Sequence, residues 1–266
     1  VMMIAEESTA WPKVTHQPED GGLGFTFKWN MGWMHDFLEY MKLDPYFRKY
    51  NHNRMTFSLT YFTSENYILV LSHDEVVHLK CSMINKMPGL GEDKFSNLKA
   101  GYTFMLGHPG KKLLFMGQDF GQWHEWDEKV SLDWYLAEEE SHKKLQEYVR
   151  DLLHIYKKYP CLYQLDNDWN GFQWINANDG DRSFIRKDET GKKNLLFVVN
   201  FTPVDRPDYR VGVPKRCKLS LLLDNVHGAY KPSQCPTYTS VKSECDGQPY
   251  SISYPLGGYG TTIFRF

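Results

Sequence analysis

Acidic side chains follow two apolar runs of the chain, near the points where predicted strands would end. Glu6 comes soon after the run 1–4, and His73 and Asp74 come soon after the run 68–71. Ligands of parallel sheets bind beyond the carboxyl ends of the strands. If the two runs are neighbouring strands of one parallel sheet, as we expect, the two carboxylates and the imidazole lie together at one rim.

Carboxylates and an imidazole at one rim are suited to the exchange of glycosidic bonds. In that chemistry one carboxylic acid protonates the leaving oxygen, while other carboxylates stabilise or attack the positively charged sugar. A simpler interpretation is also open, because an acidic residue after an apolar strand is often only its polar end. A zinc site is not predicted: His73 and His78 are five positions apart with Asp74 after the first, whereas the zinc-binding helix motif needs His-Glu-x-x-His.

The rhythm of the first part of the chain predicts the elements that would hold these residues. Up to about Tyr159, nearly continuous apolar runs alternate with helical stretches, which is typical of βα units around a parallel sheet. A complete (β/α)8 barrel takes about 250 residues, so half a barrel or a small open sheet is all that fits. The predicted strands are 1–4, 25–29, 68–71 and 112–116, and the predicted helices are 32–41, 55–62, 94–106 and 138–159.

From about Leu165 the pattern changes to short β-forming segments with turn signals between them, one of which is Asn178-Asp179-Gly180. Many short strands at regular spacing are typical of sandwiches and barrels. We therefore predict an α/β part over residues 1–164 and an all-β sandwich over residues 165–266. The segments are 172–175, 183–186, 194–200, 218–223, 250–254 and 261–266.

Composition and charge exclude several functional classes. The formal net charge is -2, which gives no electrostatic case for a nucleic-acid partner, and no apolar run is long enough to cross a membrane. Five cysteines form no Cys-x-x-Cys pair. We interpret them as reduced, buried thiols and not as a disulfide framework or a zinc site, and we expect a cytoplasmic protein.

The two segments that carry the candidate residues resemble signature segments of a known family. Ala5-Glu6-Glu7-Ser8-Thr9 and Leu71-Ser72-His73-Asp74-Glu75-Val76-Val77-His78 are similar to segments of the glycogen branching enzymes, which belong to the α-amylase superfamily. Other segments agree in the same order and extend the resemblance over essentially the whole chain. They include Gly21-Gly22-Leu23-Gly24, Lys28-Trp29-Asn30, Gly32-Trp33-Met34-His35-Asp36, Ser131-Leu132-Asp133-Trp134 and Asn200-Phe201-Thr202-Pro203.

The resemblance implies a role for each candidate residue. Glu6 would be the general acid/base, Asp74 would stabilise the transition state by holding sugar hydroxyls, and His73 would bind the same sugar. The implied reaction is retaining: an α-1,4-glucan chain is cut, held covalently and moved to a 6-hydroxyl group to form an α-1,6 branch. The substrate would be glycogen or an amylose-like glucan, and the family's chemistry implies no metal and no organic cofactor.

Three tryptophans are candidates for stacking on glucose rings in such a site. They are Trp29, Trp123 and Trp126. An indole face is flat and apolar and suits a sugar ring, but packing in the core or at its rim explains each of them at least as well.

One part of the family's pattern is not found ahead of Glu6. The family's nucleophile is an aspartate in an Arg-x-Asp segment on the preceding strand, and no such triplet precedes Glu6. The resemblance therefore implies the second half of a (β/α)8 barrel followed by a carboxyl-terminal β-sandwich. We expect the chain to be inactive by itself and to need the amino-terminal half of the same enzyme as its partner.

Two alternatives remain open at this point. A non-catalytic glucan-binding or scaffold protein would keep the aromatic surface and lack turnover. A hydrolysing or debranching relative of the amylases would release reducing sugar, whereas a branching enzyme would form new α-1,6 linkages without releasing it.

Overall fold

A four-stranded parallel sheet forms the first part of the chain. The structure is a computed structural model that describes residues 1–177 and 180–266, so the turn predicted at residues 178–180 lies largely outside the described residues. The strands follow the order of the sequence, and each pairs in parallel with the next. They are β1 (Ile4–Ala5), β2 (Phe27–Trp29), β3 (Tyr67–Leu71) and β4 (Lys111–Leu114), close to the four predicted runs.

Helices pack against this sheet through a continuous apolar core. The first of them begins directly after β2, because the side-chain oxygen of Asn30 accepts a hydrogen bond from the backbone N–H of Trp33 at 2.9 Å. The helices are α1 (Met31–Lys42), α2 (Pro45–Arg48), α3 (Asn53–Thr56), α4 (Met83–Lys86), α5 (Glu92–Gly107) and α6 (Glu140–Lys158).

The helix predicted over residues 55–62 is confirmed only in part. The chain there leaves α3 and forms a single 3-10 turn, Phe57–Thr60. The hydroxyl of Thr60 donates to the carbonyl of Phe57 at 2.7 Å, and local bonds of this kind compete with the regular helical ladder.

The second part of the chain is all β, as predicted. Its strands are β5 (Phe172–Asn176), β6 (Asp181–Arg186), β7 (Leu195–Asn200), β8 (Arg206–Val213), β9 (Lys218–Asp224), β10 (Gly228–Ala229), β11 (Thr237–Thr239), β12 (Tyr250–Leu256) and β13 (Thr261–Arg265). The larger sheet has the order β10-β9-β13-β7-β6-β5, with β11 paired to β9, and β8 and β12 form a separate antiparallel pair. A core that includes Ile185, Val198, Val211 and Ile252 fills the space between the two sheets.

Strand β8 is absent from the β-forming segments predicted for the second part of the chain. Pro207 and the charged side chains beside it are unusual in a strand. They are tolerated because β8 pairs only with β12 among the described strands, and only its last three residues, from Val211 to Val213, are buried.

The two parts of the chain share one hydrophobic core. It extends from α1 and α5 to Phe184, Phe197 and Phe201 of the all-β part. The fully buried guanidinium of Arg48 also joins them, because it donates to the carbonyl of Phe201 at 2.9 Å and to the side-chain oxygen of Asn97 at 2.8 Å.

Gly107 at the end of α5 allows a close approach between the two parts. A Cβ at this position would lie 2.6 Å from the ring of Phe184 and 2.8 Å from the ring of Phe197. We predict that Gly107→Ala destabilises the chain by about 1–3 kcal/mol, because overpacking outweighs the better helix propensity of alanine. Thermal unfolding followed by near-ultraviolet circular dichroism measures the loss.

The matched control is Gly257→Ala. The nearest atom to an added Cβ at this position would be Oδ1 of Asp205, at 3.8 Å. Equal stability of the two variants would show that the contact at Gly107 does not limit the packing of the two parts.

Candidate active site

Strand pairing brings the two predicted acidic segments to the same end of the sheet. Glu6 follows the last residue of β1, and a 3-10 turn, His73–Val76, follows β3. All pairs in this sheet are parallel, so both segments leave it at the carboxyl end of their strands. The expectation that the two strands are neighbours is wrong, because β2 lies between β1 and β3. Two strand spacings of about 4.8 Å therefore separate the strand ends.

The side chains at this end are open to solvent. Glu6 is exposed, and the side chains of His73 and Asp74 keep 46% and 44% of their surface accessible. The Nε2 atom of His73 lies 3.2 Å from Oδ1 of Asp74. A carboxylate and an imidazole in this arrangement can accept and donate hydrogen bonds to the hydroxyls of one sugar ring.

Glu7 is held quite differently from the exposed Glu6. Its Oε2 accepts a hydrogen bond from the buried ammonium of Lys28 at 2.7 Å, and its Oε1 accepts one from the backbone N–H of Thr9 at 2.8 Å. The bond from Lys28, with help from Thr9, lowers the pKa of Glu7 to about 2. Glu7 therefore stays ionised and anchors the start of the loop after β1, while Glu6 is accessible to a ligand.

Sequence reasoning missed Lys28, although a signal for it exists. A lysine between Phe27 and Trp29 in a short apolar strand needs an anionic partner when it is buried. Only the structure identifies that partner as Glu7.

The three candidate tryptophans lie in different surroundings. Trp29 ends β2 and lines a cavity of about 720 Å³ together with Glu7, Lys28 and Tyr61. This cavity includes neither Glu6 nor Asp74 among its lining residues.

Trp123 packs edge-on against Phe95 and His142, with ring centroids 5.8 Å and 5.2 Å away. Trp126 meets the ring of His73 at 6.0 Å. Among the three tryptophans, Trp126 is the one that contacts His73. Stacking of Trp123 on a sugar stays a prediction.

Within residues 1–177 and 180–266, no cluster of three or more His, Cys, Asp or Glu side chains is placed to hold a metal ion. The cysteines are free thiols. Cys161 is buried, but the expectation of uniformly buried thiols is wrong, because Cys81 is exposed and the other three are half-buried. In the same described residues, no helix is long and apolar enough to span a membrane.

Comparison of the sequence with known proteins identifies relatives over the whole chain. Residues 174–266 match the family described as the α-amylase C-terminal all-β domain. The chain is 57% identical to the 1,4-α-glucan branching enzyme GlgB of Butyrivibrio fibrisolvens, an alignment that covers 100% of the chain and 43% of that enzyme. It is 54% identical to GlgB of Halothermothrix orenii, covering 99% of the chain and 43% of that enzyme. The chain thus spans less than half the length of these relatives.

Solved structures share the fold at much lower sequence identity. The type I pullulanase of Bacillus subtilis in complex with maltose has a TM-score of 0.69 at 14% identity, covering 100% of the chain and 40% of the pullulanase. The α-amylase of H. orenii has a TM-score of 0.63 at 15% identity, covering 100% of the chain and 53% of the amylase. These similarities extend across both parts of the chain.

The bond between Lys28 and Glu7 makes stability depend on pH. Because the folded-state pKa of Glu7 is lowered, its contribution is present above the ordinary glutamate range and is lost as the pH falls towards about 2. We predict that Lys28→Met lowers the melting temperature at pH 7 and that the curves of variant and unsubstituted chain converge near pH 2. Melting temperatures measured from pH 7 to pH 2 test this.

Lys42→Met is the control, because the pair between Lys42 and Glu39 is exposed and 3.2 Å long. A Lys28→Met variant with the same pH profile as Lys42→Met would contradict the anchoring of Glu7.

Proposed function

We propose that this chain belongs to the 1,4-α-glucan branching enzymes of the α-amylase superfamily and forms the carboxyl-terminal portion of a catalytic unit that branches α-glucans. The observation that carries the proposal is the alignment of the entire chain, at 57% identity, with the B. fibrisolvens branching enzyme. The position of Glu6 and Asp74 after two parallel strands of one sheet supports it.

In the proposed reaction Glu6 acts first as an acid and then as a base. It gives its proton to the glycosidic oxygen as the α-1,4 bond breaks, and the glucosyl carbon forms a covalent bond to a nucleophilic carboxylate. Glu6 then removes the proton from the 6-hydroxyl of an acceptor chain, whose oxygen displaces the nucleophile and forms the α-1,6 bond. Asp74 and His73 hold hydroxyls of the glucosyl unit while positive charge develops on it.

The nucleophile in this proposal comes from a further strand. Among the described strands β1 pairs only with β2, so its other edge can accept a partner. We propose that a strand from the part of the relatives' length outside the alignment occupies this edge and brings an aspartate beside Glu6. The chain of residues 1–266 alone then has no turnover, since a retaining mechanism needs that carboxylate.

The same proposal accounts for the opposite edge of the sheet. A cavity of about 390 Å³ lies beside β4 and is lined by apolar side chains such as Tyr102, Leu114 and Leu152. We propose that it receives the amino-terminal half of the enzyme, so that residues 1–164 form the second half of a closed (β/α)8 barrel and residues 165–266 the carboxyl-terminal sandwich. We also propose a cytoplasmic location, in keeping with the free thiols of the cysteines.

A chimera tests the proposed function. Residues 1–266 replace the aligned segment of the B. fibrisolvens enzyme, and amylose is the substrate. We expect new α-1,6 linkages, detected by proton NMR of the product, without a matching release of reducing sugar. Residues 1–266 alone should form no new α-1,6 linkages and release no reducing sugar.

In the chimera, Glu6→Gln removes the proposed acid and should lower kcat by about 10²–10⁴-fold with little change in melting temperature. Glu19→Gln is the matched control, since Glu19 is exposed in a 3-10 turn, Pro18–Asp20, far along the loop. Full activity of the Glu6→Gln chimera would exclude Glu6 as the acid/base. Glucan binding without any turnover in the unsubstituted chimera would favour a scaffold protein, and release of reducing sugar would favour a hydrolase.

A further inference from the structure

The loop of residues 77–82, which follows the turn that carries Asp74, has a strained backbone. Its φ angles are positive at His78, Leu79 and Cys81, at 55°, 66° and 67°. Residues with a Cβ adopt this left-handed conformation rarely, because the Cβ crowds the backbone carbonyl. Such a conformation persists only where the surrounding structure holds it.

Both carboxylate oxygens of Glu125 hold this loop. Oε2 accepts a hydrogen bond from the backbone N–H of Leu79 at 2.9 Å, and Oε1 accepts one from the backbone N–H of Cys81 at 2.6 Å. The two donors belong to two of the three left-handed residues. Hydrogen bonds to a carboxylate are stronger than those between neutral groups, so one side chain holds two of the three strained residues.

Two lysines hold the same loop, and one of them, Lys80, joins it to the backbone of Asp74. The ammonium of Lys86 donates to the carbonyls of Lys80 and Cys81, the latter at 2.7 Å. The ammonium of Lys80 in turn donates to the carbonyl oxygen of Asp74 at 2.8 Å. A shift of the 77–82 loop is therefore transmitted to the residue that is proposed to hold the sugar.

The residue next to Glu125 contacts the other side of the same turn. The backbone N–H of Trp126 donates to the carbonyl of Val76 at 2.9 Å. Its indole meets the ring of His73 edge-on, with centroids 6.0 Å apart, and the ring of Phe115 at 5.1 Å. Trp126 thus contacts both ends of the turn, while Glu125 holds the loop that follows it.

We propose that Glu125 is a positioning residue for Asp74 and His73: by binding the 77–82 loop in its left-handed conformation, it fixes the two sugar-binding side chains in their reactive orientation. It does not touch the sugar and acts through the loop. This inference rests on the proposed branching reaction, in which Asp74 and His73 hold one glucosyl unit.

The variant Glu125→Gln in the B. fibrisolvens chimera tests the proposal. The amide keeps the size of the side chain but offers one oxygen, so one of the two backbone donors faces an NH2 group and loses its partner. We expect kcat on amylose to fall by about 10–100-fold, since displacement of a catalytic group by about 1 Å can cost as much, with KM changed by less than about threefold. Amide hydrogen exchange at Leu79 and Cys81 should accelerate.

Two further variants separate positioning from a merely structural role. Glu128→Gln is the matched control, because Glu128 is exposed and three positions further on, and it should leave kcat and exchange unchanged. Glu125→Asp keeps both oxygens and the charge and should recover part of the lost kcat.

An unchanged kcat and unchanged exchange in Glu125→Gln would overturn the proposal. So would a lowered melting temperature with full kcat per folded molecule, which would make Glu125 only a structural residue. An inactive unsubstituted chimera would instead overturn the branching function itself, and with it the role of Asp74 on which the inference rests.

Discussion

Parallel pairing of β1, β2 and β3 is the constraint on which the site depends. It directs the carboxyl ends of the strands to one rim, and the register Ala5–Lys28–Tyr67 places these three side chains on one face of the sheet. A slip of one residue in β2 would turn Lys28 to the opposite face and remove the partner of Glu7. The ion pair therefore depends on this register, and it anchors the loop within one residue of Glu6.

The all-β part stabilises the helix that follows the strained loop. Phe184, Phe197 and Phe201 belong to the same core as α5, and Arg48 donates to the carbonyl of Phe201. Ser82 ends the strained loop, and α5 begins ten residues later. The shared core fixes the position of α5. The sandwich thus stabilises α5 through this core, although no residue of the sandwich lines the cavity beside β2, and that cavity contains neither Glu6 nor Asp74.

Local patterns predicted the type of most elements and the two acidic segments. Apolar runs of four or five residues marked the four parallel strands, as expected for buried strands of a parallel sheet. Of the four, only β3 is buried along most of its length, and residues 1–4 are exposed. The position of β2 between β1 and β3 is a matter of spatial order, which periodicity does not encode. β8 was hidden by Pro207 and its charged neighbours, which only an edge position allows.

Long-range contacts explain what sequence reasoning could not reach in the site. Glu125 bonds to Leu79, 46 positions earlier, from a stretch without helical or strand periodicity.

The most direct measurement of the central claim is a crystal structure of the Glu6→Gln chimera with a bound maltooligosaccharide. We expect the side chain at position 6 to contact a glycosidic oxygen while Asp74 and His73 bind hydroxyls of the adjoining glucosyl unit. A sugar bound away from this rim, or one that leaves Asp74 without contact, would contradict the proposed site.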